Sequence, residues 1–162
     1  RTKKYEYAMQ LTEKQKVKFV YGILEKQFHM LYEKAERMNG NTGELLLSLV
    51  ERRLDNVVYR LGFARTRREA RQLVNHGHFT VNGKRCNIPS AQVKVGDVVA
   101  VCQKSQSSVK FKTLLEELGK KAMPQWIERA ADTFEAKIVA LPAREDIDFE
   151  VSENLIVELY SR

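Results

Sequence analysis

The sequence predicts an α+β fold: an N-terminal helical region, then two helices and a β-hairpin set in a mainly antiparallel sheet covered by helices. Three observations predict it. Leu46, Val50, Leu54, Val57 and Leu61 recur every three or four positions, the period of an amphipathic helix. Asn82-Gly83 stands between Phe79-Thr80-Val81 and Lys84-Arg85-Cys86, and a two-residue Asn-Gly loop is the signature of a type I′ hairpin. Gly96-Asp97 introduces Val98-Val99-Ala100-Val101, a β-branched run of strand length.

Taken in order, residues 12–15 (Thr-Glu-Lys-Gln) have the form of a capping box that starts a helix, with Val17, Val20, Tyr21 and Leu24 at helical spacing and Gly22 marking a bend. A second helix covers 25–37 with Phe28, Leu31 and Tyr32 on one face, and residues 39–43 break it. The apolar stripe predicts a third helix over 44–61, ended by Gly62 in the left-handed conformation. Thr66 caps a fourth, with Glu69 reaching back, Ala70, Leu73 and Val74 facing inward, and Gly77 ending it. After the hairpin, Ile88-Pro89 turns the chain and residues 105–108 form a polar linker. A helix follows over 109–121, a helical or turn segment from Pro124 holding Trp126 and Ile127, a strand over 134–141, a solvated acidic loop at 144–148 and a last strand over 155–160. This gives a helical region, 1–45, and an α/β domain, 46–162, whose core module is 51–104 and whose C-terminal helix and strands are 109–162.

The charge is concentrated. Residues 51–104 carry 11 Lys and Arg against 4 Asp and Glu, a net +7 that equals that of the whole chain. Charge spread for solubility has no need to cluster, whereas a footprint for a polyanion does. No apolar run approaches the ~20 residues of a membrane helix, and the start of the chain lacks the apolar core of a signal peptide. The first residue is not Met, which points to a fragment or processed form. Cys86 and Cys102 are isolated, without the spacing of zinc ligands, and read as small core or edge residues in a reducing compartment; a disulfide between them stays open. These features place the chain in the cytoplasm, away from membranes, with no metal and no cofactor.

The excess sits on one short helix and the hairpin beside it. Arg67, Arg68, Arg71 and Asn75 fall on the helix side opposite Ala70, Leu73 and Val74. Forked guanidiniums there can each bridge two phosphate oxygens. Arg60, Arg65, Lys84 and Arg85 extend the footprint, Thr66 and the amides beside it can receive a phosphate, and His76 and His78 can donate hydrogen bonds while neutral. Lys3, Lys4, Lys14 and Lys18, with Arg1 and Lys16, form either a second contact strip or a plain solvated face. Bland roles compete elsewhere: Arg53 with Asp55 as a structural ion pair, His29 packed between helices, Tyr5, Tyr7 and Phe63 in core or edge packing, and His76 and His78 as supports of the turn. No Ser-His-Asp, Cys-His or metal constellation and no G-x-x-x-x-G-K-[ST] loop appears, so no catalytic residue is assigned.

The run from Arg53-Leu54-Asp55-Asn56-Val57-Val58 to Tyr59-Arg60-Leu61-Gly62-Phe63-Ala64 resembles the opening of an S-four-type RNA-binding module. The likeness continues through Thr66-Arg67, Ala70-Arg71-Gln72-Leu73-Val74, His76-Gly77-His78, Val81-Asn82-Gly83, Ile88-Pro89-Ser90 and Val95-Gly96-Asp97. Outside it, Tyr7, Gln10-Leu11, Glu13-Lys14-Gln15-Lys16, Tyr21-Gly22 and Glu25-Lys26-Gln27-Phe28 are similar to the N-terminal helical region of the bacterial small-subunit ribosomal protein four family, and residues 153–162 to its last strand. Ala8 departs from the family's usual Gly and Cys86 from its usual aliphatic residue; residues 120–131 are not diagnostic, and the family carries a further N-terminal segment.

The resemblance implies a primary binder of small-subunit (16S) rRNA that nucleates assembly of the body of the subunit. It further implies contact with neighbouring protein five, nearness to the path by which mRNA enters, an influence on decoding accuracy and, in some members, repression of their own mRNA. Rival readings are an RNA-modifying enzyme of the pseudouridine-synthase type, whose Arg-x-Asp neighbourhood Arg53-Leu54-Asp55 superficially resembles, a free-standing RNA-binding stress factor with the same module, and a DNA-binding protein.

Overall fold

A computed structural model describes residues 2–118, 122–129 and 133–162. In chain order its elements are α1 (Thr2–Tyr21), α2 (Glu25–Arg37), α3 (Thr42–Glu51), α4 (Leu54–Leu61), α5 (Arg67–Asn75), β1 (Phe79–Val81), β2 (Lys84–Arg85), β3 (Val98–Val101), α6 (Gln103–Gln106), α7 (Val109–Leu118), β4 (Ile127–Arg129), β5 (Glu135–Ile138) and α8 (Glu153–Tyr160). They form two compact units, Arg1–Val50 with Ala143–Arg162, and Glu51–Pro142. The division falls after residue 50 rather than 45, and the last twenty residues group with the first unit rather than with the α/β domain.

The first unit is helical. Val17, Tyr21, Phe28, Tyr32, Leu46, Val50 and Ile156 are buried together in its core. Thr12, expected to start the first helix, lies inside α1 and its hydroxyl donates to the Ala8 carbonyl (2.7 Å). Gly22, expected to bend a continuous helix, follows the end of α1 at φ +68. Residues 155–160, read as a strand, belong to α8. An apolar run this short fits a period of 2 or 3.6, and packing decides. Here Ile156 joins the core, Gln10 donates to Glu158 (3.2 Å), Arg162 donates to Gln10 (3.0 Å) and the Ser152 amide donates to Glu13 (2.7 Å), which ties α8 to α1. The acidic stretch contains a 3-10 turn, Arg144–Asp146, and buries Ile147 beside it.

The second unit is a five-stranded antiparallel sheet in the order β2-β1-β3-β5-β4, covered by helices. Registers such as Phe79 opposite Val101 and Val99 opposite Ala136 put buried side chains on one face. They pack with Val57, Leu61, Leu73, Val74, Phe111 and Trp126 from the helices and loops. Asn82 (φ +53) and Gly83 (φ +81) make the hairpin turn that the sequence calls for. Residues 105–108 contain the end of α6 rather than a plain linker, Ile127 begins β4, and α7 is described to Leu118, so the last three residues expected of it lie outside the described residues. Cys86 and Cys102 are both free thiols.

The helix expected over 44–61 is two helices. Arg53 is extended (φ −67, ψ 141) and bridges to Gln92. The amides of Leu54 and Asp55 then donate to the Ala91 and Pro89 carbonyls (2.8 and 3.1 Å) instead of back into α3. Arg53 is buried at this break and donates through Nε and Nη2 to the Asp55 carboxylate (3.3 and 3.1 Å), the structural ion pair that the sequence suggests.

Candidate nucleic-acid interface

Gly62, at φ +85, ends α4 and lets Phe63 and Ala64 turn into the core. Thr66 then caps α5: its hydroxyl accepts the Glu69 amide (3.0 Å). The Glu69 carboxylate pairs with Lys110 (3.4 Å). Ala70, Leu73 and Val74 are buried, so α5 presents Arg68, Arg71 and Asn75 at the spacing of one outer ridge. Arg68, Asn75 and His76 are exposed and Arg71 is half-buried. Arg65, just before the cap, has a side chain 72% exposed and a loose pair with Glu117 (3.6 Å).

The hairpin is bolted in place. Asn82 donates to Asp97 (2.9 Å) and accepts the Val98 amide (2.9 Å), so the turn is fastened to the start of β3. Lys84 and Arg85 are exposed on β2. Arg85 Nε donates to the Gly77 carbonyl (3.0 Å), which holds β2 against the end of α5. A Cβ on residue 77 would displace that guanidinium, the movable end of an exposed side chain, so it is the φ of +76 that calls for glycine there.

Two of the arginines expected to grip phosphates are turned inward. Arg60 is buried and its Nε and Nη2 donate to the Glu51 carboxylate (2.6 and 3.3 Å). Arg67 is half-buried, donates to Asn56 Oδ1 (2.9 Å) and lies 4.4 Å from the Tyr59 ring centroid, a cation–π contact. Asn56 completes the latch by donating to the Glu51 carbonyl (2.6 Å). Asn56 and Glu51 are the residues that sequence reasoning missed; their one signal is that two polar side chains interrupt a buried apolar stripe.

In the first unit, Lys14 and Lys18 are directed to Glu25 (2.6 and 3.5 Å) and Lys16 to Glu13 (2.7 Å), whereas Lys3 and Lys4 are exposed. Burial pushes the Glu25 carboxyl up, but hydrogen bonds from Lys14 and Tyr160 outweigh it and leave it below the usual carboxylate range. His29, expected between helices, is exposed, pairs with Glu33 (3.1 Å) and packs its ring near Tyr160 (5.0 Å). Tyr5 and Tyr7 are exposed and Phe63 is buried.

Replacing Gly83 with Val is expected to destabilise the fold by about 1–2 kcal/mol, because a β-branched residue must then hold a left-handed φ. A urea titration reads this, and an unchanged midpoint would contradict the turn assignment.

Comparison with known proteins adds two family matches: the S4 domain over residues 52–99, and the ribosomal protein S4/S9 N-terminal domain over residues 1–51. The chain is 59% identical over 162 residues to small ribosomal subunit protein uS4 of Clostridioides difficile (strain 630), spanning all of this chain and 78% of that protein. It is 58% identical over 162 residues to the uS4 protein of Caldicellulosiruptor bescii, again all of this chain and 78% of the relative. The uS4 protein of Clostridium botulinum (strain Eklund 17B / Type B) is 60% identical over 156 residues, 96% of this chain and 75% of the relative.

Proposed function

This chain belongs to the small ribosomal subunit protein uS4 family, and from that premise we propose that it is a structural ribosomal protein that binds 16S rRNA in the cytoplasmic ribosome. The observation that carries the reading is the joined surface of α5 and the hairpin, with Arg68, Arg71, Asn75 and His76 on one element and Lys84 and Arg85 on the next, fastened by Arg85 to Gly77. Folded RNA offers phosphates and 2′-hydroxyls at fixed spacing, and its deep groove hides the base edges. A stiff cationic surface suits such a backbone.

Further parts of the reading are a primary role in nucleating the body of the small subunit, a contribution to accuracy, and contacts with neighbouring proteins, protein five among them, and with mRNA on its way in. Lys3 and Lys4 are free to add a second strip of phosphate contacts from the first unit.

It is not an enzyme. Asp55, the residue a pseudouridine-synthase reading needs, is 3% exposed and accepts two bonds from Arg53, so it has no open side for a uridine. The N-terminal match over residues 1–51 separates the chain from a free-standing factor built on the central module.

Hydroxyl-radical footprinting on cognate small-subunit rRNA, with duplex DNA as competitor, tests the proposal. A compact set of protected riboses that excess DNA does not erase is expected. Equal competition by DNA would sink it.

A further inference from the structure

The turn between β3 and α6 brings together three side chains with exchangeable protons. The Cys102 amide donates to the His78 carbonyl (2.8 Å), and the Cys102 carbonyl accepts the Ser105 amide (2.9 Å). Those bonds fix the backbone, and the side chains follow in a line. The Cys102 Sγ is 3.1 Å from the Ser105 hydroxyl, and that hydroxyl is 2.7 Å from Nδ1 of His78. The His78 ring is packed in turn against Phe111, at 5.5 Å between centroids.

A nucleophile, a group that carries its proton away and a base held in place by a neighbour are the parts of an activated thiol. The Ser105 hydroxyl belongs to a buried residue, whereas Cys102 is half-buried, so the line ends at the surface. Sγ and the Arg85 Nε approach the same carbonyl, that of Gly77 (3.6 and 3.0 Å), which brings a fixed positive charge near the sulfur. Partly exposed thiols in positive surroundings hold more thiolate at neutral pH than a free cysteine does. Burial, and then the charges of His76, Lys110 and Arg85, hold the His78 imidazole below its usual range, so at neutral pH it is uncharged and has a lone pair to receive a proton.

Cys86 supplies the contrast. It is also half-buried and directly follows Arg85, but it packs against the apolar core of the second unit. We propose that Cys102 is a thiol–disulfide exchange site for low-molecular-weight disulfides, primed by the relay through Ser105 to His78. The thiol proton passes to the Ser105 oxygen as the Ser105 proton passes to Nδ1. The thiolate attacks one sulfur of the disulfide R–S–S–R. The Sγ–S bond forms as the S–S bond of the ligand breaks, and the departing RS⁻ takes up the proton from His78 through the same line and leaves as RSH. Cys102 is oxidised to a mixed disulfide, half of the ligand is reduced to a thiol, and the relay returns to its first state. The rRNA reading is not needed for this chemistry.

The test uses the whole chain and oxidised glutathione, with adduct formation at each cysteine followed by peptide mass spectrometry. At pH 7 Cys102 should react about tenfold faster than Cys86, because the relay supplies thiolate that a free thiol lacks. The ratio should fall towards one at about pH 9.5, where solvent removes the thiol proton unaided. Ser105→Ala and His78→Gln should each remove most of the advantage at pH 7 and little of the rate at the higher pH. A Cys86 that matches or outruns Cys102 at pH 7 overturns the proposal. So does a ratio that stays constant with pH in the parent chain, since that marks a difference of access alone. Variants that keep the parental rate at pH 7, or lose it equally at both pH values, remove Ser105 and His78 from the step.

Discussion

Glu51→Ala is expected to cost about 3–5 kcal/mol of folding free energy, the usual penalty for leaving one member of a buried ion pair without the other. Glu51 has a fully buried side chain and Arg60 is 10% exposed, with a 2.6 Å Nε–Oε1 bond between them. Truncation at 51 strands a guanidinium in the core. The double replacement Glu51→Leu with Arg60→Met removes both charges at similar volume, and should recover most of the loss or exceed the parent, because neither desolvation cost is then incurred. Urea unfolding reads both variants through the shift in midpoint at constant slope. A Glu51→Ala midpoint within the range of an ordinary surface substitution would show that the pair is not buried as described. Arg60, expected from the sequence to touch phosphate, therefore acts one step behind the surface, holding α4 where α5 docks on it.

This locates the limit of what the sequence reveals. Elements whose signals are local were legible: the Thr66 cap, the Gly62 stop and the Asn82-Gly83 turn all follow from residues within a few positions of one another. Elements decided by distant partners were not. The break between α3 and α4 exists because the carbonyls of Pro89 and Ala91 receive amides of Leu54 and Asp55, some 35 residues away in sequence. The apolar run at the C-terminus becomes a helix because Gln10 and Glu13 of α1 bond to Glu158 and the Ser152 amide. The same distinction applies within the site. The sequence reading sets Arg67 with the outward arginines, yet at 3.6 residues per turn it lies only about 60° from Ala70 and about 20° from Val74, at the edge of the buried face. A helix projection has no knowledge that Asn56 and Tyr59 of the preceding helix stand beside its first turn. Arg68, the next residue but on the opposite side of the helix from Leu73 and Ala70, and Arg71, one turn on, sit where the projection puts them.

The contrast between Arg67 and its neighbours supplies the second large effect. The variant Arg68→Gln with Arg71→Gln and Lys84→Gln should lower the magnitude of the slope of log affinity against log salt by roughly 2 to 3, because each lost phosphate contact removes about 0.7–0.9 of released counterion. If counterion release is the whole effect, the difference closes near 1 M salt and opens to roughly 100- to 1,000-fold near 0.1 M. The fold should be unaffected, since all three side chains stand outside the core. Arg67→Gln should behave otherwise. Its guanidinium already donates to Asn56 and lies over Tyr59, so its removal loosens the seat of α5 without deleting a phosphate contact. Binding weakens at every salt concentration, the slope keeps its parental value, and the unfolding midpoint falls. An Arg67→Gln slope lower by about one unit with an unchanged midpoint would return Arg67 to the phosphate surface. A triple variant with the parental slope would remove the outer ridge of α5 and Lys84 from the interface altogether. The two measurements separate residues that hold RNA from residues that hold the helix that holds RNA, a difference of a few ångströms in side-chain direction that net charge alone cannot express.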